Sequence, residues 1–110
     1  MASVAVYDIL FTPRSPVPAG GEALSAVVDV RGSSEVRLLL ETREPDEALT
    51  WSVMFGPTHA GRLVPTASGG FGSSVQVIVV PTFGPRMLLA VRNSAALDTW
   101  VDGNYYFVKG

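Results

Sequence analysis

Residues 35–43, Glu-Val-Arg-Leu-Leu-Leu-Glu-Thr-Arg, set Val36, Leu38 and Leu40 on one side of an extended chain and Glu35, Arg37, Leu39, Glu41 and Arg43 on the other. Residues 22–31 repeat the pattern: Leu24, Ala26, Val28 and Val30 alternate with Ser25, Val27, Asp29 and Arg31. Successive strand residues point to opposite faces, so this period of two predicts half-buried antiparallel strands. The short link Gly32-Ser33-Ser34 predicts that the two form a hairpin. Arg31, Glu35 and Arg37 would then be near cross-strand neighbours, each good pair contributing about 0.2–1 kcal/mol.

The same period continues along the chain. Residues 49–55 place Leu49, Trp51, Val53 and Phe55 in phase, and residues 4–11, 74–80, 86–93 and 105–109 read as further strands. A weaker strand at 62–64 is cut by Pro65, and a short one at 99–101 leads into an expected turn at Asp102-Gly103-Asn104. Gly and Pro clusters at 12–13, 16–21, 44–46, 56–57, 68–70, 81 and 84–85 punctuate these runs. No ten-residue stretch has helical period with capping signals. The expectation is therefore all-β: residues 1–110 as a single domain, a two-layer antiparallel β-sandwich of seven or eight strands with jelly-roll or other Greek-key connections. With no cysteine, stability must come from packing rather than from disulfides or thiolate metal sites.

One segment departs from the half-polar rule. In the 38 residues between Glu47 and Arg86, Arg62 is the only charged side chain, while Trp51, Phe55, Phe71, Phe83 and Val-Gln-Val-Ile-Val-Val at 75–80 all fall within it. Strand 74–80 is apolar on both faces, with Val75, Val77 and Val79 on one and Ile78 and Val80 on the other. An outer face of an antiparallel sheet normally meets water. This one needs a cover: a loop such as 13–21, another subunit, or a bound partner. An uncovered apolar strand without charge gatekeepers is an aggregation hazard. Phe71, Val75, Val77, Ile78, Val80 and Phe83 are accordingly the interface candidates, and the partner they imply is a second copy or a larger protein assembly.

Charge is unevenly placed. Residues 1–47 carry eight acids and four arginines, residues 48–97 no acid and three arginines, and the whole chain has net charge −2. Opposite halves of this kind complement either between subunits or within one sandwich. Net acidity, with no basic run interleaved with aromatics, excludes an ordinary nucleic-acid surface. The N-terminus has no basic segment and Asp8 breaks its apolar stretch, so no secretory signal is expected; no run is long enough for a membrane span. Cytoplasmic synthesis follows, compatible with a later place in a virion or another extracellular particle.

Catalytic and metal chemistry find no constellation. His59 is the only histidine and its nearest acids in sequence are Glu47 and Asp98, with no Gly-x-Ser-x-Gly motif for a nucleophile. Asp98-Thr-Trp-Val-Asp102-Gly-Asn104 supplies at most three side-chain oxygens where calcium takes about six to eight, so a structural turn is the expectation. Gly69-Gly70-Phe71-Gly72 lacks the lysine and helix of a phosphate loop. No catalytic residue, metal or cofactor is expected. Among Trp51, Trp100, Tyr7, Tyr105 and Tyr106, Trp51 is in phase with core residues, leaving Trp100, Tyr105 and Tyr106 as the aromatic candidates for stacking on a glycan.

The alternation at 28–42, Met-Leu-Leu-Ala-Val-Arg-Asn at 87–93 and the closing Tyr-Tyr-Phe-Val-Lys-Gly resemble small jelly-roll domains of the galactose-binding-like type. Such sandwiches occur as carbohydrate-binding modules and as decoration or accessory domains of phage particles. The resemblance implies a fold and carries over no binding residue. Two expectations follow: a non-enzymatic structural module that self-associates or docks on a larger particle, and, as the alternative, a carbohydrate-binding module.

Overall fold

The structure, a computed structural model, describes residues 3–110; the first two positions of the expected 1–110 domain lie outside them. Nine strands follow in order: β1 (Val4–Val17), β2 (Glu22–Leu24), β3 (Val28–Asp29), β4 (Glu35–Thr42), β5 (Asp46–Gly56), β6 (Val64–Phe71), β7 (Val75–Pro81), β8 (Arg86–Asn93) and β9 (Thr99–Lys109). A front sheet has the order β1-β9-β4-β7 and a back sheet the order β2-β8-β5-β6, with β3 also pairing with β8. All pairings are antiparallel. Every connection crosses between sheets except β2 to β3 and the β5–β6 hairpin, which is jelly-roll topology.

The ninth strand arises because the expected strand over 22–31 is broken. Ser25 leaves the regular ladder: its N–H donates to the Leu89 carbonyl at 2.8 Å, and its hydroxyl accepts from Leu89 N–H at 2.9 Å while donating to the Ala26 carbonyl. The Ala26 N–H turns instead to the Leu10 carbonyl of β1. Two short strands, β2 and β3, remain on either side.

Binary pattern decides what is buried. Val36, Leu38 and Leu40 of β4, Leu49, Val53 and Phe55 of β5, and Met87, Leu89 and Val91 of β8 all face one core, joined by Leu10, Phe11, Val17 and Phe107. Each fully buried side chain of this kind contributes about 1.5–3 kcal/mol relative to exposure.

Three local expectations are corrected. The 32–34 link does not make a hairpin: β3 pairs with β8 in the back sheet and β4 with β7 and β9 in the front. Gly32, at φ 84°, turns the chain across the sandwich instead, and the arginines pair locally, Arg31 with Asp29 at 2.8 Å and Arg37 with Glu35 at 3.3 Å. Asp102-Gly103-Asn104 is not a turn either, because β9 runs unbroken through it. Gly103 is buried, and a Cβ there would lie 2.9 Å from Phe11 Cδ2 and 3.0 Å from Leu40 Cδ2, so the position demands smallness. Finally, β6 runs through Pro65 and the Gly69-Gly70 pair rather than stopping at either. Pro65 is tolerated on this edge strand, and Gly69 leaves room for the Trp51 indole, whose Cζ2 would be 2.5 Å from an added Cβ.

Candidate functional site

Alternation along β1, β9, β4 and β7 fixes which side chains leave the front sheet. The registers place Tyr7, Tyr106, Arg37 and Val79 in one row across all four strands, and Ile9, Asn104, Leu39 and Val77 in the next. All eight are exposed, Tyr7 at 76% and Val77 at 73% being the most open of the apolar ones. Val75 and Val108 extend the same face. Strands about 4.8 Å apart and rows about 6.6 Å apart give the two rows a footprint of roughly 250 Å² before side-chain relief, a quarter of it at Arg37 and Asn104. That is close to the largest apolar patch of an ordinary soluble monomer, which is often functional.

Charge on the face is sparse: Glu41 stands exposed in the row of Val75, and Arg37 is paired. The Arg37 guanidinium donates to Glu35 Oε1 at 3.3 Å and lies 5.8 Å from the centre of the Tyr106 ring. Between Tyr7, Tyr106, Arg37 and Asn104 lies a shallow hollow of about 330 Å³, floored by Leu39 and Val77. Of the three covers weighed for strand 74–80, the loop 13–21 does not reach it. Residues 15–17 pair with β9 at the opposite side of the sheet, so the face is uncovered among the described residues.

The interface candidates divide between the two faces of their strands. Val75 and Val77 lie on the open face together with Val79, which sequence reasoning did not select although it shares their phase. Ile78 and Val80 are core residues, at 7% and 3% exposure, because β7 turns them toward the back sheet. Phe71 is likewise fully buried where β6 ends, so none of these three is available to a partner. Phe83 is exposed at 63%, but it stands in the β7–β8 connection with its ring edge-on to Phe55, 6.0 Å away. Ile9 and Leu39 belong to the open face and were missed; Tyr7, weighed only among the stacking aromatics, belongs to it too. Their signal was the apolar residue on the polar side of an alternating strand, Leu39 most plainly.

The glycan candidates do not form one platform. Trp100 and Tyr106 share the outward phase of β9 but stand six residues apart, about 20 Å along a strand. The Arg14 guanidinium lies 5.5 Å from the centre of the Trp100 ring, and Arg14, held at φ 54°, donates its N–H to Asp102 Oδ1. Tyr105 has inward phase, packs against the core and stacks on Phe107 with centroids 6.0 Å apart. Burial first, and then the Asp8 carboxylate, push its phenol above the ordinary tyrosine range. Tyr106 alone of the three is fully on the open face, and its cross-strand neighbour there is Tyr7.

Other polar groups serve the scaffold. Asp98 Oδ1 accepts the Ala19 N–H at 2.8 Å, so Asp98 and Asp102 tie the end of β1 and its following loop to β9. His59 is exposed in loop 57–62, where Thr58 Oγ1 accepts the Arg62 N–H. Among the described residues no three of His, Asp and Glu gather to hold a metal ion, and no helix is long and apolar enough to cross a membrane. The back sheet bears a wider hollow of about 590 Å³, bordered by Thr50, Ser52, Met54, Ser68, Ala90 and Arg92. Trp51 also lines this hollow: half-buried, it has the inward phase of Val53, packs against the core and lies over Gly69. The buried Trp51 Nε1 finds no hydrogen-bond partner.

No protein-family model matches the sequence, and no curated protein is similar to it in sequence. The fold is shared with solved structures. A family 16 carbohydrate-binding module superposes with a TM-score of 0.50 at 10% identity, over 79% of this chain and 70% of that one. A structure of infectious bursal disease virus, Gx strain, gives 0.52 at 9% identity over 97% of this chain, which spans about a third (32%) of the viral one. Bacillus endospore appendages, described as disulfide-linked pili, give 0.51 at 13% identity over 98% of this chain and 85% of that one. The chain thus shares a jelly-roll β-sandwich fold with a carbohydrate-binding module, a viral chain and an endospore appendage.

Proposed function

We propose that the protein is a non-enzymatic structural module that self-associates through the outer face of its front sheet, as a building or decorating part of a larger particle such as a virion. The observation that carries this reading is the two-row apolar field of Tyr7, Ile9, Leu39, Val77, Val79 and Tyr106, which no segment of the described chain covers. A surface of this kind costs solubility unless it is used. It is flat, nearly neutral and rich in tyrosine, the composition of an interface centre rather than of a solvated rim. Multi-angle light scattering across a concentration series tests it. The expected result is a mass above that of one chain, returning to a single chain for Leu39→Glu, which places a charge in the middle of the face. A wild-type protein that stays monomeric at high concentration overturns the proposal.

A second reading rests on the Tyr7–Tyr106 pair. Two outward phenols on neighbouring strands beside Asn104 and Arg37 offer rings to stack on a sugar and polar groups to bond its hydroxyls. Glycan-array binding that is lost in Tyr106→Ala and kept in Trp100→Ala would establish this use of the face. No binding, or loss on Trp100→Ala alone, would dismiss it.

A further inference from the structure

The four sheet edges of the sandwich are not alike. β2 is three residues long and carries Glu22. β1 holds Asp8, Pro13, Arg14 and Pro16 and slips register twice against β9. β6 contains Pro65 and Gly69-Gly70, and its pairing with β5 also slips. Short length, charge, proline and bulges are the devices that keep an edge from pairing with another chain. β7 uses none of them from Val75 to Val80, which carry no charge, glycine or proline; Pro81 comes only at its last position, and all seven residues pair with β4 in one unbroken register.

Hydrogen-bond parity shows what this edge offers. Thr42 N–H donates to the Ser74 carbonyl at 2.8 Å, and Thr82 N–H to the Ser34 carbonyl at 3.0 Å, so the even-numbered residues of β7 turn their backbone groups toward β4. In an antiparallel ladder the intervening residues turn theirs away. Val75, Val77 and Val79 therefore present N–H and C=O to the open side, and their side chains are the exposed ones. The Val75 N–H has a weak local acceptor, Ser73 Oγ at 3.4 Å. Pro81, which has no N–H, falls at the next outward position and ends the row.

We infer that β7 pairs antiparallel with β7 of a second copy across a two-fold axis at Val77, joining two front sheets into one of eight strands. This rests on the self-association reading and names one of its contacts. The occupant is a second copy because the edge is self-complementary. With Val77 opposite Val77, Val75 meets Val79 in both directions, every outward donor faces an outward acceptor, and Pro81 falls beyond the last pair. A neutral strand also has no like charge to oppose itself at the axis, whereas a charged edge would be repelled by its own copy. The two apolar faces come out on the same side, and the field of Tyr7, Leu39 and Val77 doubles in width.

Amide hydrogen exchange tests the pairing directly. At low concentration the amides of Ile78 and Val80 are protected by β4 while those of Val77 and Val79 exchange freely. At high concentration the amides of Val77 and Val79 become protected as well. Val79→Pro removes two hydrogen bonds per dimer without touching the β4 ladder, and is expected to weaken the pairing roughly 30-fold. Its thermal melt, compared with that of the wild type, checks that the fold is kept; the wild-type exchange data stand alone if it is not. Free exchange of Val77 and Val79 at every concentration overturns the edge pairing. If mass then still rises and Leu39→Glu abolishes the rise, the face contact stands without the edge; if mass never rises, both fall.

Discussion

Gly103→Ala tests whether β9 runs straight through the front sheet, the condition that brings Asn104 and Tyr106 onto the same face as Tyr7 and Leu39. The new methyl group would sit 2.9 Å from Phe11 Cδ2 and 3.0 Å from Leu40 Cδ2, where ordinary contacts begin near 3.4 Å. Leu40 is fully buried and Phe11 nearly so, so both neighbours must shift within packed surroundings. Overpacking of this kind costs about 1–3 kcal/mol. Gly103 does not have positive φ, so alanine is not strained there and regains about 0.4–1 kcal/mol by restricting the unfolded chain. The net expectation is a loss of about 1–2 kcal/mol, or a melting temperature lower by roughly 5–10 °C for a chain of this size. Gly72→Ala is the control: nothing lies within 4 Å of its added Cβ, and it should be neutral or slightly stabilising. Urea unfolding followed by tryptophan fluorescence measures both. A Gly103→Ala protein as stable as Gly72→Ala would refute the buried placement of Gly103 and with it the continuous strand.

Three further outcomes are expected. The Asp29 carboxyl is held down to about 2, first by the side-chain hydrogen bonds from Arg31, so its contribution to stability is present above pH 4 and lost as pH falls from 4 to 2. Urea unfolding of Asp29→Asn should accordingly differ from wild type at pH 6 and converge with it near pH 2; a difference unchanged to pH 2 would contradict this. The phenol of Tyr105 is raised by burial and then by Asp8, so its contribution is complete below pH 10 and lost as pH rises beyond it. Stability of Tyr105→Phe should fall less than that of wild type above pH 10, and an equal fall would count against the buried placement. Gly69→Ala should force the Trp51 indole off β6, red-shifting tryptophan emission and lowering stability by about 1–3 kcal/mol; an unchanged spectrum would show the indole lies elsewhere.

Sheet architecture was legible in 35–43 but not in 22–31, where the phase slips at Ala26 and leaves Leu24 exposed and Ser25 buried. In 35–43 the charged residues marked the outside unambiguously, and Val36, Leu38 and Leu40 are indeed core. In 74–80 the two faces were separated correctly by phase, but both were apolar, and nothing in the strand itself says which one the back sheet will cover. The core took Ile78 and Val80, leaving Val75, Val77 and Val79 outside. Glycines misled for a related reason. Gly103 and Gly69 resemble turn residues in sequence, yet each clears space for a large neighbour, Phe11 with Leu40 in one case and Trp51 in the other. Such a requirement is tertiary and leaves no local mark. Likewise the 32–34 link is as short as a hairpin loop, and only the pairing of β3 with β8 reveals that it crosses between sheets. The open face itself was half legible: a leucine among charged residues at 39 was visible, but its alignment with Val77 and Ile9 depends on strand order.

Hydroxyl-radical footprinting of Tyr7 and Tyr106 at low and high protein concentration tests the central claim most directly, because both rings stand on the front face and away from the core. The account predicts that their modification falls as the protein concentrates, that Phe83, outside the field, stays reactive, and that Leu39→Glu restores the reactivity of both tyrosines. Equal modification of Tyr7 and Tyr106 at every concentration would contradict it, for it would show the face lying open to water.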